Sequence, residues 1–348
     1  MTKDKSILIK NIYYMLSYAF TALRQGEYES IAGERFDKLH NLLAAILAKG
    51  VGRQLKQGLY REYRACTGDL TALRGKIDMQ GTIRNQMQRK MLISCTYDEL
   101  SENNVLNQIL KSTMLLLVRH SDVDDCYKSD LRKELLLLSS IDTVDLPSIE
   151  WSSLRFHRNS SSYRMLISLC QLIVEGLLLT TEEGDYRLAS FFDEKSMSRL
   201  YEKFILEYFV SEHNELKVTS SQIAWALDDG VGTLLPVMQS DIMLSCGDEI
   251  LIIDAKYYSR TLQSQYDVHT IHSHNLYQIF TYVKNKAAEG HRVSGMLLYA
   301  RTDEEYQPDV SYMLSGNRIN VKTLDLNKDF AEIAFQLDEI ANSFSKNR

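Results

Sequence analysis

Three prolines (Pro147, Pro236 and Pro308) are all that this 348-residue sequence contains, so it has no proline-rich linker or tail. Its five cysteines (Cys66, Cys95, Cys126, Cys170 and Cys246) are scattered, odd in number and without a CxxC pair. That pattern speaks against a disulfide framework or a cysteine zinc site and points to reduced thiols in a cytoplasmic protein. No stretch reaches the roughly 18 consecutive apolar residues of a membrane span. The opening Met1-Thr2-Lys3-Asp4-Lys5 is polar and charged, so neither a leader peptide nor a membrane association is expected. No GxxxxGKS or GxxxxGKT run occurs, and Gly50-Val51-Gly52-Arg53 is too short to replace one, so a P-loop nucleotide site is not expected. Positive charge is also in deficit: 40 basic residues face 46 acidic ones, a net charge of -6. This argues against coating nucleic acid through bulk charge, though not against a local basic face.

What is present is ordinary globular composition, 45% hydrophobic and 25% charged, in a chain long enough for two domains. Apolar spacing predicts helices over Asn11–Leu23 and Glu34–Lys56. The texture then changes to short strands, Leu59–Arg64, Ala72–Met79 and Met91–Tyr97, punctuated by Gly68, Gly75 and Gly81. Between Val51 and Ile93, nine basic residues face only three acidic ones. Such a cluster is either a solvated face or a surface that meets phosphate or an acidic partner. Helical spacing returns over Glu102–Ser139, and the serine-rich Ser148–Ser162 stretch is the expected inter-domain boundary. We therefore expect an α+β N-terminal domain over 1–155, with a strand-rich element at about 58–97, and an α/β domain over 156–348. In the latter, helices at Tyr163–Leu179, Glu194–Ser211, Ser273–Lys286 and Lys328–Phe344 flank a mixed central sheet. Its strands are Leu216–Ala226, Leu234–Ser245, Glu249–Tyr258, Val293–Tyr299 and Asn317–Leu324.

The chemistry concentrates around Gln239-Ser240-Asp241-Ile242 and Ile250-Leu251-Ile252-Ile253-Asp254-Ala255-Lys256-Tyr257-Tyr258. The apolar Ile250–Ile253 run suits a central strand buried on both faces, and it ends abruptly in Asp254 and Lys256. Residues two apart on a strand point the same way, so these two project side by side. A hairpin turning at Gly247 brings Asp241 alongside. Two carboxylates at a sheet edge suit Mg²⁺, and a lysine beside them can hold water or neutralise a phosphate in transition. The alternative is a salt-bridged strand end without catalytic meaning. On the following helix Gln278 and Tyr282 share one face, placed to bond a substrate backbone or, alternatively, to serve as core and surface. His269, His272 and His274 lie between the hairpin and this helix, where they offer a zinc site, a phosphate contact or an ordinary polar loop.

Together these residues resemble the PD-(D/E)xK nuclease superfamily, with Asp241 as its first acidic position and Asp254-Ala255-Lys256 as its second motif. Gln278 to Tyr282 resembles the QxxxY element of the RecB-type branch. Pro236, five residues ahead of Asp241, meets the "PD" half only loosely. The resemblance implies an acidic residue on a helix ahead of the sheet, for which Glu202 and Glu207 compete. Adding Ile12–Ala19 and Leu73-Arg74-Gly75-Lys76-Ile77-Asp78, and reading Asn275-Leu276-Tyr277-Gln278 after Asp254–Tyr258, the order is similar to that of the McrC family over nearly the whole chain. That family implies the nuclease subunit of a methylcytosine-directed restriction system used in antiviral defence. It would be Mg²⁺-dependent, with metal held by Asp241, Asp254, the Ala255 carbonyl and Glu202, and with Lys256, Gln278 and Tyr282 completing the catalytic set. It implies a hexameric AAA+ partner, McrB, which binds and hydrolyses GTP and recognises double-stranded DNA carrying modified cytosine. The basic segment would enter the motor ring and stimulate its hydrolysis, with Arg74, Lys76 and Asp78 as contacts. Two other readings stay open: a non-catalytic activator of an AAA+ GTPase that keeps a nuclease-like fold, and a stand-alone repair nuclease.

Overall fold

The computed structural model describes residues 3–345 apart from 5–6, 21–22, 24–30, 32–33, 35, 157–160, 181–185, 189–193, 231, 259–261, 266–267, 303 and 305. The chain packs as two compact units, Leu43–Val174 and a second formed by Met1–Leu42 with Glu175–Arg348. Helices Leu39–Gln57 and Ser161–Leu177 carry the chain from one to the other. This division differs from the expected cut near residue 155, and the reason lies in the first helix, Ile9–Ala19. Ile12, Met15, Leu16 and Ala19 are buried. Tyr14 stacks on Phe330 at 4.4 Å, and Tyr18 meets Phe204 and Tyr208 at 5.7 and 5.2 Å. The Asn11 amide donates to the carbonyls of Leu326 and Lys328, both at 2.8 Å. The N-terminal helix thus belongs to the core of the C-terminal sheet. Among the described residues, no helix is long and apolar enough to cross a membrane.

In the Leu43–Val174 unit, strands Glu62–Leu70 and Ile93–Ser101 form a long antiparallel pair, from Glu62 opposite Ser101 to Leu70 opposite Ile93. The two-residue strand Lys76–Ile77 extends the pair, so the expected Ala72–Met79 strand is mostly loop and turn. Gly75 makes this close approach possible. Its φ is +70°, and a Cβ there would sit 2.4 Å from the Thr96 carbonyl oxygen. A helix absent from the sequence reading, Met79–Met87, follows at once, with Asp78 as its N-cap. The helices expected over Glu102–Ser139 are Val105–Arg119 and Asp125–Leu137. Leu106, Ile109, Leu110, Met114 and Leu117 bury the apolar face of the first.

In the other unit a six-stranded mixed sheet runs in the order Val310–Leu314, Asn317–Leu324, Arg292–Ala300, Glu249–Lys256, Ile242–Cys246, Lys217–Thr219. Glu249–Lys256 is central. It pairs parallel with Arg292–Ala300 and antiparallel with Ile242–Cys246, across a tight turn at Gly247-Asp248. Ile250 to Ala255 are all buried, as a strand covered on both faces requires. Ile250 and Ile252 pack with Ile279, Tyr282 and Val283 of helix Ser273–Ala287, each fully buried isoleucine contributing roughly 1.5–3 kcal/mol. The alternate residues face helix Glu194–Glu212, whose Tyr201 ring lies 6.4 Å from that of Tyr257.

Two expected long strands are each broken in the middle. Leu216–Ala226 divides into Lys217–Thr219 and Gln222–Ile223, and Leu234–Ser245 into Met238–Gln239 and Ile242–Cys246. Serines cause both breaks. The fully buried Ser240 accepts the Ser221 N–H at 3.2 Å and returns its own hydroxyl to the Ser221 carbonyl at 3.0 Å. The Ser220 hydroxyl donates to the Ser240 carbonyl at 2.9 Å. The Ser240 N–H still donates to the Ser221 carbonyl at 3.0 Å, and the side-chain bonds around it interrupt the regular ladder, which is the usual competition of serine with regular structure. The expected polar loop after residue 258 contains an antiparallel ribbon, Leu262–Gln265 with Val268–Ile271, and the edge strand Val310–Leu314 was not foreseen.

Candidate active site

The serine break frees Asp241 from the ladder where the hairpin pairing stops, one residue beyond the last pair, Ile242 opposite Ile253. The Asp241 carboxylate turns onto the central strand and accepts the Ala255 N–H at 3.0 Å. Asp254 and Lys256, at the end of that strand, meet directly, Lys256 Nζ donating to Asp254 Oδ1 at 2.9 Å. The same ammonium lies 3.9 Å from Asp241 Oδ2. The three expected residues therefore form one cluster, built by alternation on one strand and register across one turn.

Burial within the cluster is uneven, and that sets its chemistry. The Asp254 side chain is 1% exposed, against 13% for Lys256 and 20% for Asp241. Burial pushes the Asp254 carboxyl up to about 7, with the negative charge of Asp241 adding to the rise and the Lys256 ammonium opposing it. For Lys256, burial alone would favour the neutral amine. The charges of Asp254 and Asp241 outweigh it and hold the ammonium above its ordinary value. Lys256 is thus a fixed cation near neutral pH, a donor and not a base.

Glu202, on helix Glu194–Glu212, belongs to the same electrostatic group. Burial and then the Asp241 charge raise its carboxyl, while the Ser198 hydroxyl (3.0 Å), Lys256 and Arg199 pull it down. Glu207, the competing candidate, acts on Lys203 instead. Three carboxylates consequently share one ammonium. Asp254 Oδ2 is buried and accepts no hydrogen bond among the described residues, while the neighbouring Asp241 carboxylate favours its protonated form. A desolvated carboxylate oxygen without a donor is costly unless a cation meets it. The donor set is all oxygen, which suits a hard divalent ion such as Mg²⁺.

On helix Ser273–Ala287 the Gln278 amide donates to the Tyr282 hydroxyl at 3.0 Å, so the two expected residues are joined to each other. Tyr282 is 9% exposed and its ring belongs to the core. Asn275, one turn earlier, connects this helix to the strand ends. Its Oδ1 accepts the Tyr258 hydroxyl at 3.2 Å, and its Nδ2 donates to the Tyr299 hydroxyl at 2.9 Å. Asn275 and Tyr258 fall within the sequence motifs without a role of their own there. Their signal is the spacing of Asn275, Gln278 and Tyr282, which share one helix face. Tyr299 gave no signal, because its place opposite Lys256 depends on the parallel pairing of two strands 43 residues apart. His272 and His274 lie 5.6 Å apart, with the Tyr258 ring 5.2 Å from His272; the His269 side chain falls outside the described residues.

In the other unit, Arg74 lies over the Tyr97 ring at 4.3 Å and 3.8 Å from Glu99, and Lys76 is exposed. Asp78 has a local role: its Oδ1 accepts the Gln80 N–H at 3.1 Å and caps the Met79–Met87 helix. That helix carries a further feature without a signal in the sequence reading. Met79, Ile83 and Met87 are exposed at 62%, 50% and 82% and, spaced four apart, form one apolar stripe along the helix.

Residues 3–300 match the family described as McrBC 5-methylcytosine restriction system component. Over 348 residues the chain is 31% identical to the type IV methyl-directed restriction enzyme EcoKMcrBC of Escherichia coli strain K12, covering 98% of this chain and 99% of that protein. Among solved structures it resembles a chain from the half-complex of the tetradecameric assembly of Thermococcus gammatolerans McrB AAA+ hexamers with bound McrC. The TM-score is 0.53 at 18% identity, with 96% of this chain and 75% of the other covered. At that identity the likeness concerns the fold.

Proposed function

From the premise that the chain belongs to the McrBC 5-methylcytosine restriction system component family, we propose that it is the Mg²⁺-dependent endonuclease subunit of a GTP-driven complex that cuts DNA carrying modified cytosine. The carrying observation is the buried, unpartnered Asp254 Oδ2 beside Asp241, a defect in a purely structural salt bridge and the expected state of a metal ligand. The type of site is PD-(D/E)xK, with Asp241, Asp254 and the Ala255 carbonyl holding the ion and Glu202 assisting. When bound, Mg²⁺ supplies a Lewis acid that eases deprotonation of water and offsets charge on a phosphodiester.

The chain's own residues set the rest. Lys256 keeps its proton on Nζ and donates it as a hydrogen bond toward the scissile phosphate, where it neutralises the charge that grows in the transition state. Asp254 and Asp241 hold that ammonium in place. Gln278 and Tyr282, already paired, offer an amide and a hydroxyl to the sugar-phosphate backbone and so fix the strand for in-line attack. A net charge of -6 supplies little affinity for DNA by itself. Delivery by a hexameric AAA+ GTPase of the McrB kind accounts for that. Arg74, Lys76 and the exposed Met79, Ile83 and Met87 form the surface for it, with Asp78 maintaining its shape.

The test mixes the chain with its motor, GTP, Mg²⁺ and DNA bearing methylated cytosine. Asp254→Ala should abolish cleavage while assembly and GTP hydrolysis persist. Full cleavage by that variant would overturn the assignment of the site. Stimulated GTP hydrolysis without any cutting by the unaltered chain would turn the protein into a non-catalytic activator. Cutting by the chain alone, without nucleotide, would make it a stand-alone nuclease.

A further inference from the structure

We propose that Asn275 is a positioning residue for DNA cleavage, locking the Ser273–Ala287 helix to the strand ends so that Gln278 and Tyr282 stay in register with Asp254 and Lys256. The inference rests on the endonuclease reading above and adds a residue and a mechanism to it.

Asn275 lies in the first turn of the helix, yet it is fully buried. A buried amide is tolerated only where its donors and acceptor are used, and here both ends are engaged. Both partners lie next to the lysine in chain or in register. Tyr258 is two residues past Lys256, just beyond the end of the central strand, and Tyr299 is paired with Lys256 in the neighbouring strand. The two tyrosine rings lie 6.3 Å apart, so Asn275 closes a compact triangle at the end of two parallel strands. An isolated helix on an apolar sheet can slide or rotate slightly at little energetic expense. The amide removes that freedom by tying one point of the helix to the end of the lysine's own strand and to the strand paired in parallel with it. Because Asn275, Gln278 and Tyr282 lie on one face, fixing the first fixes the other two. Gly295 supports the same arrangement from below. A Cβ at that position would meet both Ile279 Cγ1 and Val283 Cγ2 at 2.8 Å, so helix and strand are already in close contact.

The experiment measures steady-state cleavage by the full chain with its motor, GTP and Mg²⁺, for Asn275→Leu and Tyr258→Phe. Leucine fills the space without bonding, and phenylalanine keeps the ring while removing a single bond. Displacement of catalytic groups by about 1 Å typically costs about 100-fold in rate, so Asn275→Leu should lose about that factor in kcat and Tyr258→Phe about 10-fold. KM for DNA and the motor's GTP hydrolysis should not change. Asn11→Ala supplies the control for general softening, since Asn11 is a buried amide (2% exposed) tied to Leu326 and Lys328 in the same unit. It should lower the melting temperature and leave kcat intact. Unaltered kcat in both test variants would overturn the proposal, and so would a loss in Asn11→Ala equal to that in Asn275→Leu. A raised KM at unchanged kcat would overturn it too, making Asn275 a DNA-binding residue. Absence of cutting by the unaltered chain is a different failure: it removes the endonuclease reading and this inference with it. Should Asn275→Leu not fold, Tyr258→Phe alone decides.

Discussion

Asp254→Asn should make the metal-free protein more stable while it destroys cleavage. The substitution keeps the size and shape of a side chain that is 1% exposed and removes its charge. Raising this carboxyl from 3.8 to about 7 opposes its ionised form by about 4 kcal/mol. In the unfolded chain it ionises near pH 4 and in the native chain only near 7, so the native state loses stability as pH rises through that interval. The asparagine has no such titration. Its advantage is therefore absent at about pH 4, grows across the interval and is complete above about pH 8. The Lys256 ammonium, which opposes the rise, is already part of that balance. The variant should therefore melt several degrees above the unaltered protein at pH 8.5. Thermal melts in EDTA at pH 5 and pH 8.5 measure this directly. Addition of Mg²⁺ should then raise the melting temperature of the unaltered protein, by linkage, and leave that of the variant nearly unchanged. A variant that melts at or below the unaltered protein at pH 8.5 would refute the argument that burial and Asp241 strain this carboxylate.

Two further outcomes follow from packing and charge. Gly295→Ala forces a methyl against Ile279 and Val283, and urea unfolding should report a loss of about 1–3 kcal/mol; unchanged stability would show that the helix is not seated on the sheet as described. Replacing Arg74 and Lys76 together by alanine should weaken binding to the hexameric motor about tenfold, equivalent to about 1.4 kcal/mol, as read by titrating stimulation of GTP hydrolysis. Undiminished stimulation would place the contact elsewhere, with the Met79, Ile83 and Met87 stripe as the next surface to alter.

The cluster of Asp241, Asp254 and Lys256 was legible because its geometry is local: a buried run, a two-residue alternation and a short hairpin bring the three together. The sheet-forming strand Asn317–Leu324 was legible for the same reason, through its alternating pattern. What remained hidden depends on long-range partners. The N-terminal helix looks like part of an N-terminal domain until Phe330, Leu326 and Lys328 are seen to receive it. Tyr299 acquires significance only through parallel pairing, which no local spacing announces. The Met79–Met87 helix was masked by Gly81 and by an apolar stripe that faces solvent, so the usual cue of a buried face was missing. The broken strands were hidden because the hydroxyls of Ser220 and of the buried Ser240 bond backbone groups of the facing serines, which interrupts the ladders.

The turn at Gly247-Asp248 is in effect the ruler of the site. It lies at the far end of the hairpin, about 17 Å of strand away from the carboxylates it aligns. One residue more or fewer there would shift the pairing by one step and turn Asp241 to the other face of the sheet, leaving Asp254 and Lys256 in place without their third member. Loop length is usually the most freely varied property of a protein. In this hairpin it is a determinant of chemistry, carried by residues that never touch the substrate.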